Sequence, residues 1–578
     1  MRHTVNPQQG RLFDPFDGMI PPLGCDRIDK GWQGIFRTCL LELMPAQKLG
    51  KHFSPTIGRP TKELYSVAGL LFLQEFQNWT IPEAVDAYLF RTDIQWALNL
   101  EPGVDEMCER TFERYRALFL EDEEAGQVMQ DVTDRLIDLL ELDIAKQRLD
   151  STHVFSNMAS FGRTRLMAVT IKRFLTQVKR HHLTDFEALP AELRQRYAPS
   201  QAQLLSKESK DADGRAKSRQ QVAEDMRDLL NRFADHAGLR DRPSYQALVT
   251  VFAQQCEIVA DRVQVRTKTG GACVQNPSDL DATYDGKKGQ GYQVQFSETC
   301  SAANDVQLIV SALPQTAVES DTNALEPVLA DLQKRDLLPE EMLADTSYGS
   351  DDNVQKAAVL GVEVVSPVSG PTPNARTEDN GVCAEVVANL TIDDFAVDER
   401  TGKVEACPAG RVPLHVVYDA TTTTIHMAPE ECGACPFRAQ CPIEEGKSTC
   451  KVSYTDKQKR LEGRRREQET DVFRKRYAKR SGLESTNSGV KRRLGLGQLR
   501  GRGRHAVNHA LYLKVAGWNL LRAAASGKLR GRVARVLARF GAAMDFGLVN
   551  TAWRLVCRWK WSANATRHDP AIPTALAS

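Results

Sequence analysis

Between Asp471 and Arg493 the chain reads DVFRKRYAKRSGLESTNSGVKRR. If this segment is helical, Tyr477, Arg480, Glu484 and Lys491 fall within roughly 60° of one another at about 100° per residue. One carboxylate, two cations and a phenol would then share a face. Such a surface suits a metal-bound phosphodiester, because the carboxylate holds a divalent cation while Arg and Lys grip neighbouring phosphates. Arg492 and Arg493 extend the grip beyond Lys491. Local propensity opposes the helix, since Gly482, Ser485, Thr486, Asn487, Ser488 and Gly489 are poor formers. Either tertiary packing holds it together or it stops near Gly482.

The pattern Tyr-x2-Arg-x3-Glu-x6-Lys resembles the signature of insertion-sequence DDE transposases of the IS-four-like branch, in all four residue types and all three gaps. Asp150, in Leu-Asp-Ser-Thr-His, is similar to the first acid of that family, and Asp345, in Leu-Ala-Asp-Thr-Ser-Tyr-Gly-Ser, to the second. The resemblance covers roughly residues 55–525. It implies a ribonuclease-H-like fold, magnesium-dependent cleavage of double-stranded DNA at terminal inverted repeats (manganese substituting), and transfer of the freed 3′-hydroxyl into target DNA. On that reading Asp150, Asp345 and Glu484 are catalytic and hold magnesium, while Tyr477, Arg480, Lys491, Arg492 and Arg493 bind DNA. Cutting two ends in concert implies a homodimer on DNA. A long helical stretch between Asp150 and the next strand departs from the family, whose insertions more often follow the last strand. Two rivals share the resemblance: a nuclease that cuts without joining, and an inactive transposase-derived DNA-binding protein.

The elements that must position these residues show in the hydrophobic periodicity. From Thr61, Leu64, Val67, Ala68, Leu71 and Phe72 line one helical face. Thr80-Ile-Pro-Glu83 reads as a capping box that opens a second helix. A third, Glu109 to Leu120, sets Arg110, Arg114 and Arg116 beside Phe112, Tyr115 and Phe119, a pattern compatible with a helix-turn-helix reader. Ala125 to Leu142 is a further helix. Ile144 to Leu149 reads as a strand ending at Asp150. Tyr292–Thr299, Val306–Leu313, Glu341–Ala344 and Val362–Val365 read as strands, and Ala324–Arg335 and Asp352–Leu360 as helices. Together these predict an α/β protein with a mixed-sheet core, ribonuclease-H-like by the resemblance, in three pieces: 144–163, 281–370 and 456–525. The remaining parts are an N-terminal extension at 1–54 without assigned chemistry, a helical DNA-binding domain at 55–143, a helical insertion at 164–280, a Cys-rich insertion at 371–455 and a basic tail at 526–578.

The Cys-rich stretch places Cys407, Cys432, Cys435 and Cys441 as C-x24-C-x2-C-x5-C, with Cys450 close behind. Four thiolates suit a structural zinc, with an iron–sulfur cluster or plain reduced thiols as alternatives. The other Cys are isolated in sequence and read as reduced thiols.

Lys plus Arg number 76 against 75 Asp plus Glu, but residues 451–541 hold 25 of the former and 6 of the latter, about +19. Segregated positive charge is an expected polyanion site, with a solvated helical surface as the plain alternative. The composition, 42% hydrophobic and 26% charged, excludes a disordered or collagen-like chain. No apolar run approaches the length of a membrane span, and the first residues lack a signal-like apolar stretch. The expectation is a cytoplasmic, nucleoid-associated protein without a membrane partner.

Overall fold

The structure, a computed structural model, describes residues 1–529 except 6, 8–14, 17, 104, 206–210, 371–389, 399 and 447. The expected basic tail beyond 529 and the start of the Cys-rich segment lie outside the described residues. Contacts divide the chain into two units, 1–124 with 131–141 and 516–578, and 125–130 with 142–515.

In the first unit the leading long helix is Leu64–Phe76 rather than starting at Thr61, because the Glu63 carboxylate accepts from the Tyr65 and Ser66 amides and caps it there. The Thr80–Glu83 box forms, and its helix runs Ile81–Phe90. Glu109–Glu121 buries Phe112, Tyr115 and Phe119, leaving Arg110 and Arg114 exposed. A short helix, Thr92–Ala97, lies between them without an advance signal. The N-terminal segment also feeds this core: Ile35, Phe36, Leu40 and Leu41 are buried, and the Phe36 ring stacks on Phe72 at 5.3 Å.

The second unit carries the mixed sheet. Its strands are β1 (Lys146–Val154), β2 (Thr283–Asp285), β3 (Gly289–Thr299), β4 (Ile309–Thr316), β5 (Glu341–Ala344) and β6 (Glu363–Val365). The order is β2-β3-β1-β5-β6, with β4 also on β3. β1 pairs antiparallel with β3 and parallel with β5, and β5 pairs parallel with β6. The helices Leu325–Lys334 and Asp351–Val359 join the later strands.

β1 does not end at Asp150. Ser151 to Val154 continue the ladder against Gln295 to Tyr292. Two polar side chains find partners there: Ser151 Oγ donates to Asp321 (3.1 Å), and His153 Nε2 bonds the Gln290 carbonyl (3.0 Å). β4 begins later than Val306 because the Leu308 amide is taken by Thr299 Oγ1 (3.1 Å).

The insertion after β1 has its own core, with Leu166, Phe174, Met226 and Leu248 from the helices Arg163–His181, Ala212–Phe233 and Pro243–Gln255. It also contains a hairpin, Cys256–Val259 with Arg262–Val265.

The Cys-rich segment is a small β module. Strands β7 (His415–Tyr418), β8 (Thr422–Met427), β9 (Glu444–Glu445) and β10 (Cys450–Thr455) form an antiparallel sheet ordered β7-β8-β10-β9. Ile425, Met427, Val452 and Tyr454 form its core.

From β10 the chain enters α1 (Asp456–Gln468), then α2 (Asp471–Tyr477), a 3-10 turn (Ala478–Ser481), α3 (Gly482–Leu494) and α4 (Arg504–Ala525). The helical path therefore tightens at Arg480 but does not stop at Gly482. Tertiary contacts hold the poor formers. Thr486 Oγ1 donates to the buried Glu298 carboxylate (2.7 Å). Gly482 lets a guanidinium lie where a Cβ would be 1.9 Å from Arg148 Nη1.

α3 ends at Gly495, whose φ of +68° is left-handed. The Lys514 ammonium, 1% exposed, donates to the Leu494 carbonyl at 2.7 Å and caps the helix with a positive charge. Lys514→Met is expected to cost about 1.5–3 kcal/mol, the usual worth of a hydrogen bond to a charged group. Urea denaturation with an unchanged slope measures it.

Candidate active site

Strand register brings the first two acids together. In the parallel pair Leu149 lies opposite Ala344, so the next residues, Asp150 and Asp345, leave that ladder side by side. Asp150 stays within β1 opposite Phe296 of β3, and its carboxylate accepts from the Ser151 amide (3.0 Å). Asp345 follows the last residue of β5 and caps a 3-10 turn, Thr346–Tyr348, by accepting from the Thr346 amide.

The third acid arrives on α3, and one guanidinium joins all three. Arg480 Nη2 lies 3.2 Å from Asp150 Oδ1 and 3.8 Å from Asp345 Oδ2, and Nη1 lies 3.8 Å from Glu484 Oε1. The arrangement is graded in depth: the Asp150 side chain is 17% exposed, Asp345 46% and Glu484 68%. Arg480 Nε is buried without a hydrogen-bond partner. Tyr477 stacks on Phe473 with ring centroids 5.7 Å apart and is half-buried at the edge of this group.

The electrostatics follow from burial and crowding. Burial raises the Asp150 carboxyl above its ordinary range; Asp345 and Asp321 add to this, and Arg480 and the Ser151 amide oppose it. Burial by itself would lower Arg480, but Asp150, Tyr477, Asp345 and Glu484 together lift it above the ordinary guanidinium value. Burial pushes the Tyr477 phenol up and Lys491 down, the latter with help from Lys288.

A fourth carboxylate supports the floor of the site. Asp321 accepts from Ser151 Oγ (3.1 Å) and Gln295 Nε2 (2.8 Å), and Lys288 Nζ lies 3.8 Å away. Lys288 also donates to Ser151 Oγ (3.0 Å) and Gln293 Oε1 (3.1 Å). Spacing in the sequence marks neither residue. Beneath α3, Arg148 pairs with Glu298 at 2.6 Å and donates to the Lys479 carbonyl at 2.9 Å. Here a signal was available: Glu298 sits in a strand whose whole length past Gln290 is buried, and a buried charge demands a partner.

The remaining expected DNA contacts divide. Lys491 is half-buried, while Arg492 and Arg493 are exposed on α3; Arg492 Nε donates to Ser488 Oγ (2.9 Å). Much of the basic block is used inside the fold. Arg460 binds Asp351 (3.0 and 2.7 Å), Arg464 donates to the Gly349 and Ser366 carbonyls (2.9 and 3.1 Å), and Arg476 reaches Glu341 (2.9 Å) and Glu363 (2.7 Å).

The glycine-rich turn after α3, which reads as a flexible basic loop, is pinned to the end of β1. The Phe155 amide donates to the Gly497 carbonyl (3.1 Å), Leu499 to Phe155 (2.8 Å) and Asn157 to Gly501 (2.9 Å).

Two other groups lie apart from the acids. Cys407, Cys432, Cys435 and Cys441 line one small cavity in the β module. The ligand atoms of His182, Asp185 and His236 lie within 4.8 Å of one another. In this second group the Gly238 amide donates to His236 Nδ1 (3.2 Å), which leaves the ring proton on Nε2 to donate to Asp185 (3.2 Å). His182 Nδ1 lies 3.8 Å from the same Asp185 oxygen.

Among the described residues no helix is long and apolar enough to cross a membrane. Residues 406–524 match a family described as "Transposase DDE domain". That span runs from the β module through Glu484 and Lys491 into α4. Among solved structures, the cryo-EM structure of the piggyBac transposase synaptic complex with hairpin DNA aligns at 8% identity and a TM-score of 0.27, over 98% of this chain and 87% of that chain. No curated protein matches.

Proposed function

We propose that this chain is a DDE transposase of the IS-four-like kind, with its strands and helices arranged as a ribonuclease-H-like core. It cuts double-stranded DNA at the terminal inverted repeats of a mobile element and joins the freed 3′ end to target DNA. The observation that carries the reading is one guanidinium within 4 Å of the carboxylates at 150, 345 and 484. The domain match over 406–524 supports it independently of that geometry.

The residues fit a divalent cation. All three donors are hard carboxylate oxygens, gathered against their mutual repulsion with a single Arg among them. Asp150, Asp345 and Glu484 would hold magnesium, or manganese in its place, which supplies activation of the attacking oxygen and stabilisation of the leaving one.

The protein's own groups have distinct tasks. Asp150, the deepest acid, fixes the floor of the site through the Ser151 amide and the Ser151–Asp321 contact. Arg480 supplies the positive charge that permits three acids to converge, and it lies in reach of a phosphate approaching them. Lys491, Arg492 and Arg493 grip the backbone next to the cut, and Tyr477, near Arg480 and the acids, binds DNA on that side. In hydrolysis a water oxygen bonds to phosphorus as the bond to the 3′ oxygen breaks, leaving a 3′-hydroxyl and a 5′-phosphate. In joining, that hydroxyl attacks a target phosphodiester and displaces another 3′ oxygen, so the number of phosphodiester bonds is conserved and no nucleotide triphosphate is consumed. Two copies of the chain act together, one at each end.

The test uses the element's own ends, found as short inverted repeats bounded by a direct duplication in the DNA around the gene. The purified full-length protein is expected to nick uncut ends in magnesium and to join pre-cut ends to a supercoiled plasmid. Cutting without joined product would make it a nuclease. Neither activity, with retained binding to the ends, would make it an inactive derivative. Either result overturns the proposal.

A further inference from the structure

The β module between residues 390 and 455 holds five thiols, and none is in a disulfide: Cys407, Cys432, Cys435, Cys441 and Cys450. Four come together from separate local structures. Cys407 follows the short strand Val404–Ala406 and opens a turn closed by the Gly410 amide on its carbonyl (2.8 Å). Cys432 sits in the helical turn Pro429–Gly433, with the Cys435 amide returning to its carbonyl at 3.3 Å. Cys441 is held by its amide on the Phe437 carbonyl (2.9 Å). All four line a cavity of about 20 Å³. A space of roughly 10–15 Å³ already admits one water-sized occupant. This one therefore has room for a small occupant between the thiols.

We infer that Cys407, Cys432, Cys435 and Cys441 bind one zinc ion, which staples the β module together. Four sulfur donors from a Cys-x2-Cys pair and two flanking Cys are the ligand set of a closed structural site. An iron–sulfur cluster would use the same four thiols, and the metal found distinguishes the two. Among the described residues the ligand atoms already within 4.8 Å of one another are those of His182, Asp185 and His236. The four thiols must accordingly draw together on the ion, and binding tightens the module.

Cys450 is outside the set. It lies in β10 opposite Met427 and does not line the cavity.

The module core is small, with Ile425, Met427, Val452 and Tyr454 its main apolar contributors, so a metal adds stability that burial alone supplies sparingly. The benefit reaches the acids by a short route. β10 runs directly into α1, whose first turn is capped by Thr455 and Gln458. Arg466 of α1 ties back to Asp393 (3.1 Å) and Asp394 (2.6 Å) in the module. Arg460 and Arg464 of the same helix clamp the segment that follows Asp345. The inference does not depend on transposition, because metal content is measured whether or not the protein cuts DNA.

Full-length protein expressed without added zinc and passed over a desalting column is expected to contain about one equivalent of zinc by mass spectrometry. Cobalt substitution should produce the near-ultraviolet thiolate charge-transfer absorption of a four-sulfur site. Cys435→Ser is expected to fall below about 0.2 equivalents, Cys435→His to retain the ion, and Cys450→Ser to keep the full equivalent. Less than about 0.2 equivalents of zinc in the parent, or iron in its place, overturns the inference. Loss of zinc in Cys450→Ser would overturn the choice of ligands. The His variant and the parent's own metal content still decide the matter if Cys435→Ser fails to fold.

Discussion

Asp150→Asn is expected to slow cleavage of DNA ends by at least about 10³-fold, since a divalent-ion site contributes several kcal/mol to the transition state and about 1.4 kcal/mol is tenfold in rate. The same change should leave the fold as stable as the parent at neutral pH, or more so. Burial and the neighbouring Asp345 and Asp321 raise the Asp150 carboxyl, against Arg480 and the Ser151 amide. The native state therefore disfavours its charge. An acid whose folded pKa is raised weakens the fold fully above that pKa, and the penalty vanishes as pH falls through it to below the ordinary value of 3.8. Any stability advantage of Asp150→Asn should thus be largest near neutrality and shrink on acidification. Thermal unfolding between neutral and acidic pH measures this alongside the cleavage assay. A folded Asp150→Asn protein that cuts at the parental rate would remove the basis of the proposed chemistry.

The second large effect falls on stability first. Arg148→Met is expected to cost about 3–5 kcal/mol, because it leaves a buried carboxylate without its cation. Glu298 is 1% exposed and Arg148 12%, with the pair 2.6 Å apart. Arg148 also donates to the Lys479 carbonyl and occupies the space left by Gly482. Its loss therefore loosens the entry to α3, and the strand-cutting rate should fall with it. The double variant Arg148→Met, Glu298→Gln should recover part of the stability, since it no longer buries an unpaired charge. It should recover less of the cutting rate, because the ties to Lys479 and Gly482 remain absent. Equal recovery of both would mean that α3 is placed by other contacts.

The residues that could be read in advance were those governed by local rules. The Thr80 capping box, the short apolar strand Glu341–Ala344 and the helices around Leu325 and Asp351 depend on neighbours in sequence. The spacing from Tyr477 to Lys491 placed Arg480 and Glu484 as mutual neighbours, and the ion contact at 3.8 Å shows that proximity.

What stayed hidden depends on distant partners. β3 was legible as a strand over Tyr292–Thr299, but the burial of its polar residues Gln293, Gln295, Ser297, Glu298 and Thr299 was not. Their hydrogen bonds to Gln315, Asp321, Gln147, Arg148 and Gln307 satisfy them instead. Ser151 to His153 resembled the end of a strand for the same reason. In the β module, the threonine-rich stretch before Ile425 carries little apolar signal, yet it pairs with β10 throughout. The weak helix formers after Gly482 were a true conflict, resolved by Glu298 and Lys514 from outside the segment.

The knot between β1 and the turn after α3 has a consequence for how such a protein can diversify. All three ties, at Phe155, Asn157 and Leu499, are made by main-chain atoms. Selection can rewrite the side chains of that turn while the main-chain ties that hold it to the end of β1 stay in place, and a proline at Leu499 breaks that independence by removing the amide on which one tie depends.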